Sequence, residues 1–381
     1  MTAPLSFAAL LRQKRVVLSV GCGGVGKTTT TAALGVAAAL AGLRVLCLTI
    51  DPARRLSQSL GLTEMKTSAQ TISPELLARI GVKPPGSLTV MRVDTKSTFD
   101  ELVRQLAPNA ASRDRILGNV VYRYVSTSLA GTAEYMAMEK LYALKDDPAY
   151  DVILLDTPPT TNALDFLDAP ERLVGAIDSP AMRWFVQSVQ GGGKFSLNLL
   201  ARAAAATLKG VSKLTGSGFL EQIAQFVGEI NTLFGGWKKR AEIVSSALRG
   251  PDVAYLLVTT PDPLALREVR FFADRLRKDG MRPSGFVINR VHPAFEGDAQ
   301  ADTVAAVLAM RGVTATADLA TRVLRAKLDA SKEARRDRIQ LMAIDDIFDD
   351  DPSLLRVEIP AWPADLHDLE ALAKVARMLT S

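Results

Sequence analysis

Short runs of apolar residues recur along most of the chain, and longer stretches with helical periodicity separate them. The runs are almost continuously apolar, whereas a strand with one face in water would alternate apolar and polar positions. Continuous runs are typical of parallel strands that are buried on both faces of a sheet. The predicted strands are Val16–Val20, Val45–Ile50, Leu88–Val93, Val152–Leu155, Ala254–Val258, Gly285–Ile288 and Leu355–Ile359.

Helical patterns stand between these strands, most clearly at Thr28–Leu40 and Pro263–Lys278. Strands that alternate with helices are typical of βαβ units, which build parallel sheets with helices on both faces. The fold class predicted is therefore α/β, with a doubly wound, mostly parallel sheet in a single domain over residues 1–381.

One long stretch departs from this alternation. From about 169 to 249 no strand pattern occurs, and the apolar residues from Phe219 to Phe234 recur at helical spacing. We predict a helical insertion here, with hinges at the glycines of 191–193 and 216–218. Its apolar faces suit either a groove for a hydrophobic segment or packing on one another, and the sequence leaves both open. A second helical piece is predicted from Thr316 to Phe348.

Composition narrows the class of protein. Hydrophobic residues make up 48% and charged residues 23%, as in ordinary globular proteins, and the net charge of +5 is too small to indicate nucleic acid by itself. The two cysteines, Cys22 and Cys47, exclude a disulfide framework, and the residues give no reason to expect zinc. Neither an export signal nor an apolar run of about 18 residues is recognisable, so we expect a cytoplasmic location.

The strongest chemical signal lies at residues 21–28. Their sequence, G-C-G-G-V-G-K-T, fits the phosphate-loop pattern G-x-x-x-x-G-K-[ST], and it follows a predicted strand and opens a predicted helix. In such a loop the glycines let backbone N–H groups face phosphate oxygens at the positive end of the helix. Lys27 is expected to reach the β- and γ-phosphates and Thr28 to ligate Mg²⁺. The motif predicts a P-loop NTPase fold.

Two aspartates follow predicted strands of the same sheet. Asp51 comes after the second strand, and Asp156 ends the strand that begins at Val152. Ligands of open α/β sheets bind beyond the carboxyl ends of the strands, which is where both carboxylates are expected. One of them would hold Mg²⁺ or its water shell, and the other would orient the attacking water. The residue pattern alone does not assign the two roles.

These motifs resemble those of the arsenite-pump and tail-anchored-protein targeting ATPase family, within the deviant Walker A class of P-loop ATPases. The loop resembles G-K-G-G-V-G-K-T-T, the segment from Asp51, D-P-A-R-R-L, resembles D-P-A-x-x-L, and the segment from Asp156 resembles D-T-A-P-T-G-H-T-L. The resemblance covers most of the chain and implies ATP as the nucleotide, with Asp51 positioning water. It also implies a C-terminal unit at about 353–381, made of a strand, an adenine loop and a closing helix.

The resemblance and the motifs together give a set of site residues. The predicted catalytic residues are Lys27 and Asp51, and the predicted Mg²⁺ residues are Thr28, Asp51 and Asp156. The predicted nucleotide contacts are Gly21, Cys22, Gly23, Gly24, Val25, Gly26, Lys27, Thr28, Thr29, Asn289, Pro360 and Ala361. Asn289 is expected to read the adenine, and Pro360 and Ala361 are expected to pack on it.

The resemblance also implies partners. It implies a homodimer, or a heterodimer with a sister ATPase, and a hydrophobic protein client or peripheral membrane association; nucleic acid is not expected. Segments 126–140 and 163–170 are similar to a bacterial subgroup in which such pairing occurs. The family's zinc-binding C-x-x-C pair is missing, so a dimer bridged by zinc is not expected.

Cys22 is the main departure from the family pattern, because it stands where the family has a lysine that reaches the partner's phosphates. A thiol cannot supply a fixed positive charge. Arg54 and Arg55 are candidate substitutes. This departure supports the first of two alternatives that stay open. One is a slow or regulatory ATP-binding subunit of a heterodimer, and the other is a partition-type ATPase associated with DNA.

Overall fold

The computed structural model describes residues 6–50, 55–60, 62, 67–128, 132–157, 167–180, 218–294, 300–313, 317–362 and 368–380. The strands are β1 Val16–Val20, β2 Arg44–Thr49, β3 Gln70–Thr71, β4 Ser87–Arg92, β5 Val152–Asp156, β6 Val253–Thr259, β7 Pro283–Val291 and β8 Leu355–Pro360. The helices up to residue 145 are α1 Phe7–Gln13, α2 Lys27–Leu40, α3 Arg55–Ser59, α4 Pro74–Arg79, α5 Thr95–Leu106, α6 Ala110–Gly118, α7 Val120–Ser128 and α8 Thr132–Lys145. The later helices are α9 Ala169–Ile177, α10 Gly218–Leu248, α11 Pro263–Lys278, α12 Ala301–Met310, α13 Ala317–Leu341, α14 Asp345–Asp350 and α15 Leu369–Thr380.

The described strands form one sheet in the order β3-β4-β2-β5-β1-β6-β7-β8. Every neighbouring pair is parallel except β3 and β4, which are antiparallel. β1 lies between β5 and β6, so the chain leaves the middle of the sheet toward both edges and opens a crevice at the carboxyl ends of these strands. The prediction of a doubly wound, mostly parallel α/β sheet is confirmed.

Each central strand contributes side chains to a hydrophobic core on both faces of the sheet. On one face, Val17, Cys47 and Leu154 pack beneath α2 and α15. On the other face, Leu18 and Leu155 pack beneath α5, α8 and α10. This burial on both faces explains why the strands are continuously apolar in sequence.

The long helix α10 supplies much of the second core. Phe226, Val227, Ile230 and Leu233 are buried there, so this apolar face of the predicted insertion packs against the body of the protein. The glycines of 191–193 lie outside the described residues, as do residues 181–217 generally. The extent of the insertion, 169–249, and the other unit boundaries stay predictions.

The second predicted helical piece, from Thr316 to Phe348, corresponds to α13, a 3₁₀ turn at Met342–Ile344 and α14. Among the described helices, none combines the length and the apolar composition that a bilayer-spanning segment requires.

A buried ion pair fixes α10 to α8. Arg240 donates hydrogen bonds from Nε and Nη2 to Oε1 of Glu139 at 2.8 and 2.6 Å, and Glu139 is 3% exposed. We expect Glu139→Gln to lower the free energy of unfolding by about 2 kcal/mol, because Arg240 would keep its charge and lose its counterion. Urea denaturation measures this change.

The matched control is Lys238→Gln on the same helix. Lys238 pairs with Asp178, and both side chains are 40% exposed, so the expected loss is below about 1 kcal/mol. Equal losses in the two variants would contradict the structural importance of the Glu139–Arg240 pair.

Candidate functional site

The loop between β1 and α2 fits closely against the ends of the neighbouring strands. Gly26 caps α2 with a φ of 95°, a left-handed conformation that glycine adopts at little cost. A Cβ atom on Gly26 would lie 2.2 Å from Nδ2 of Asn289, and one on Gly21 would lie 2.1 Å from the carbonyl oxygen of Val258. Packing therefore requires glycine at both positions, and at Gly26 the left-handed backbone favours it as well.

Lys27 is the first residue of α2, and the loop curls around its ammonium group. Its Nζ donates hydrogen bonds to the carbonyl oxygens of Gly21 and Cys22 at 2.8 and 2.7 Å, and the residue is 5% exposed. A buried ammonium at a helix N-terminus makes this loop strongly favourable for an anion.

A threonine and an aspartate meet beside the loop. Thr28, in the first turn of α2 together with Thr29, donates a hydrogen bond from Oγ1 to Oδ2 of Asp156 at 2.8 Å. Asp156 ends β5 and is 1% exposed, and the same Oδ2 accepts a bond from Oγ1 of Thr49 at 3.1 Å. A hydroxyl and a carboxylate are oxygen donors of the kind that Mg²⁺ takes together with nucleotide phosphates. Thr28 and Asp156 thus fit the predicted magnesium site.

Cys22 opens onto a cavity of about 500 Å³ outside the loop. Residues 22–25 line one side of it. The other side is lined by Thr260 just after β6, by residues of the first turns of α11 including Glu268, and by Arg290. Burial, and then the nearby carboxylate of Glu268, raise the pKa of the Cys22 thiol above its usual value. The thiol is therefore neutral at neutral pH and supplies no charge at this position.

The residues expected to contact adenine lie at the ends of two neighbouring strands. Asn289 is near the end of β7, and Pro360 ends β8 opposite Val291 in the strand register. The backbone N–H of Ala361 donates to the carbonyl oxygen of Val291 at 2.9 Å. The side chain of Asn289 donates from Nδ2 to the carbonyl oxygen of Val25 at 3.0 Å, so it braces the phosphate loop. Its adenine-reading role stays a prediction.

Several predicted site residues fall outside the described residues. They include Asp51, Arg54 and the part of the second motif from Pro158 to Leu164, while Arg55 is placed only as the first residue of α3. Thr49 and Asp156, each two residues before one of these gaps, are described and are hydrogen-bonded to each other.

Three residues of the site were not predicted from the sequence. Thr49 reaches Asp156 because β2 and β5 are neighbours in the sheet, which no local pattern encodes. Glu268 lies beside Cys22 across a large sequence separation, and only the fold brings the two together. Arg290 directly follows the predicted Asn289, but nothing in the local sequence distinguishes it from other exposed arginines.

Comparison with known proteins gives one family and several relatives. The model of the anion-transporting ATPase family matches residues 14–314. The chain is 28% identical over 203 residues to ATPase GET3 of Malassezia globosa, a match covering 50% of this chain and 56% of the relative. It is 24% identical over 223 residues to ATPase GET3 of Mycosarcoma maydis, covering 56% and 57%. The chain thus spans little more than half the length of these curated relatives.

Proposed function

The chain belongs to the anion-transporting ATPase family, and on this premise we propose that it binds and hydrolyses ATP with Mg²⁺ as one subunit of a dimeric switch. The observation that carries the proposal is the arrangement of Lys27, Thr28 and Asp156 at the phosphate loop. The relatives are named ATPases. Because the alignments cover little more than half the length of each relative, the ATPase activity of these relatives comes to this chain as a proposal.

Lys27 and the loop supply the charge that phosphoryl transfer requires. The ammonium group lies within hydrogen-bonding reach of the loop backbone, so it would exchange its bonds to Gly21 and Cys22 for phosphate oxygens. Those contacts would stabilise the negative charge of the transition state on the phosphoryl and leaving-group oxygens, which lowers the barrier.

Thr28, Asp156 and Asp51 would position Mg²⁺ and the attacking water. When bound, Mg²⁺ neutralises phosphate oxygens and orients them. Thr28 would ligate it through Oγ1, and Asp156 would hold the hydroxyl or a water molecule of the metal's shell. Asp51, proposed from its motif, would orient the attacking water.

We propose that the two motif segments that begin at Asp51 and Asp156 change conformation on hydrolysis and couple the nucleotide to a protein client or partner. The partner would be a second copy or a sister ATPase. If the two subunits meet at their phosphate loops, as the resemblance implies, Cys22 of one subunit would lie near the phosphates of the other.

One observation favours a second candidate function. The neutral Cys22 thiol beside Glu268 leaves this position without a cation. A subunit of that kind would bind ATP but turn it over slowly, and its contribution would be to complete the site of a sister subunit that carries the lysine.

Phosphate release by the purified chain separates the two candidates. Turnover by the chain alone, lowered in Asp51→Asn, would support the active dimer and overturn the regulatory role. Binding of ATP without turnover, with phosphate release only after addition of a sister ATPase, would support the regulatory subunit. Light scattering with a non-hydrolysable ATP analogue reports the dimer in both cases, and a monomer throughout would contradict the dimeric switch.

Substitution of Cys22 tests the missing charge directly. We expect Cys22→Lys to raise kcat of the chain alone by about tenfold, because a cation that crosses to the partner's phosphates stabilises the transition state. Cys22→Ser is the matched control, since it keeps a small neutral side chain and is expected to leave kcat unchanged. Equal kcat values in the two variants would show that the charge at this position does not limit turnover.

A further inference from the structure

We propose that Arg290 is a second cation of the nucleotide site, in addition to Lys27, and that it binds the polyphosphate tail from the outer side of the phosphate loop. This inference rests on the proposed function, because it concerns how the same site retains ATP. The observations that carry it are the position of Arg290, its backbone conformation and the charges around it.

Arg290 lies near the carboxyl end of β7 and lines the cavity of about 500 Å³ beside the phosphate loop. The same cavity is lined by Cys22, Gly23, Gly24 and Val25, so the arginine and the loop border one continuous space. The side chain is exposed, and its guanidinium makes no ion pair or hydrogen bond with another described residue that would hold it away from that space.

The backbone of Arg290 is held in an unusual conformation. Its φ is 59°, the only positive value of a non-glycine residue in the described part of the chain. Side chains disfavour this region, and such residues persist where the surroundings fix them, often at functional sites. Here Asn289 fixes it: Oδ1 accepts a bond from the N–H of Arg290 at 2.9 Å, and Nδ2 donates to Val25 at 3.0 Å. The conformation of Arg290 is thereby tied to the phosphate loop.

Arg290 is the source of positive charge among the described side chains that line this cavity, so an anion that enters it depends on this arginine. Asp262 and Glu268 are among the lining residues, and Arg290 is the basic residue among those described. The carboxylates repel a polyphosphate, while the neutral Cys22 does nothing to offset them. An arginine stays charged at all physiological pH values, and its planar fork suits two phosphate oxygens at once.

The test compares Arg290→Gly with Arg282→Ala. Glycine tolerates a positive φ, so Arg290→Gly removes the side chain without straining the backbone. Arg282 is the control, because it is an exposed arginine just before the other end of β7. Calorimetric titration with ATP and with AMP, both with Mg²⁺, gives the affinities, and the melting temperature without nucleotide reports the fold.

We expect Arg290→Gly to weaken ATP binding by about tenfold, the loss of one charge-assisted contact, and AMP binding by less than about twofold. Its melting temperature should equal or exceed that of the wild type, and Arg290→Lys should lose less ATP affinity than Arg290→Gly. Arg282→Ala should bind both nucleotides as the wild type does.

Two results would overturn the inference alone. One is unchanged ATP affinity in Arg290→Gly while the wild type binds ATP. The other is an equal loss of affinity for ATP and AMP, which would show that Arg290 contacts the part that the two nucleotides share and not the polyphosphate tail. Failure of the wild type and of Arg282→Ala to bind ATP would overturn the proposed function itself and this inference with it.

Discussion

Lys27→Ala is expected to lower ATP turnover by about a thousandfold, the size of effect seen when a main electrostatic contact to a transition state is removed. Lys27 is buried at the start of α2, and its Nζ already lies inside the loop that would hold the phosphates. Alanine removes that charge where little solvent is present to replace it. The two loop carbonyls of Gly21 and Cys22 also lose their donor.

Phosphate release under saturating ATP and Mg²⁺ measures the effect. Lys278→Ala is the matched control, because Lys278 is an exposed lysine in the last turn of α11. Melting temperatures of both variants should stay within a few degrees of the wild type. Turnover of the folded Lys27→Ala protein within about threefold of the wild type would exclude Lys27 from the catalytic site.

Asp156→Asn is expected to remove most of the benefit of Mg²⁺ and to lower turnover by about a hundredfold. An asparagine oxygen still accepts hydrogen bonds from Thr28 and Thr49, so the packing of the site is retained. The lost charge is the one that, on the proposed function, would hold a divalent cation and its water shell beside the phosphates. The variant should therefore bind ATP equally well with and without Mg²⁺.

The control for this prediction is Asp151→Asn at the other end of β5. Asp151 pairs with Arg44 on the surface and should have no effect on the metal dependence. If Asp156→Asn still binds ATP more tightly with Mg²⁺ by the wild-type factor, Asp156 takes no part in the metal site.

The sheet was predictable because strands that are buried on both faces are continuously apolar in sequence. β1, β5 and β6 are each within a residue or two of their predicted bounds. The bounds of α11 were predicted fully, since Asp262 caps it, Pro263 opens it, and Asp279 and Gly280 end it. By contrast, β3 has two residues, Gln70 and Thr71, at an edge of the sheet, and so short a strand leaves no apolar run.

The phosphate loop was also predictable, because its glycines and lysine are close together in sequence and shape the loop locally. The residues that surround the loop in the fold were not predictable in this way. The contact of Asn289 with Val25 and the position of Glu268 beside Cys22 depend on strand order, which brings distant residues together. The positive φ of Arg290 depends on a hydrogen bond from its own neighbour's side chain and has no signature in the sequence. The role of Asp51 stays a prediction from its motif.

The carboxylate of Asp156 joins three parts of the chain at one oxygen atom. Oδ2 accepts bonds from Thr28, at the start of α2, and from Thr49, the last residue of β2. If Thr28 turns toward a metal ion, Thr49 is left as the hydrogen-bond donor to that oxygen among these two threonines. Asp51 follows Thr49 by two residues in the sequence. We therefore expect loading of the metal to act on the proposed water-directing Asp51 through Asp156 and Thr49. Such a coupling would delay hydrolysis until the nucleotide is fully seated.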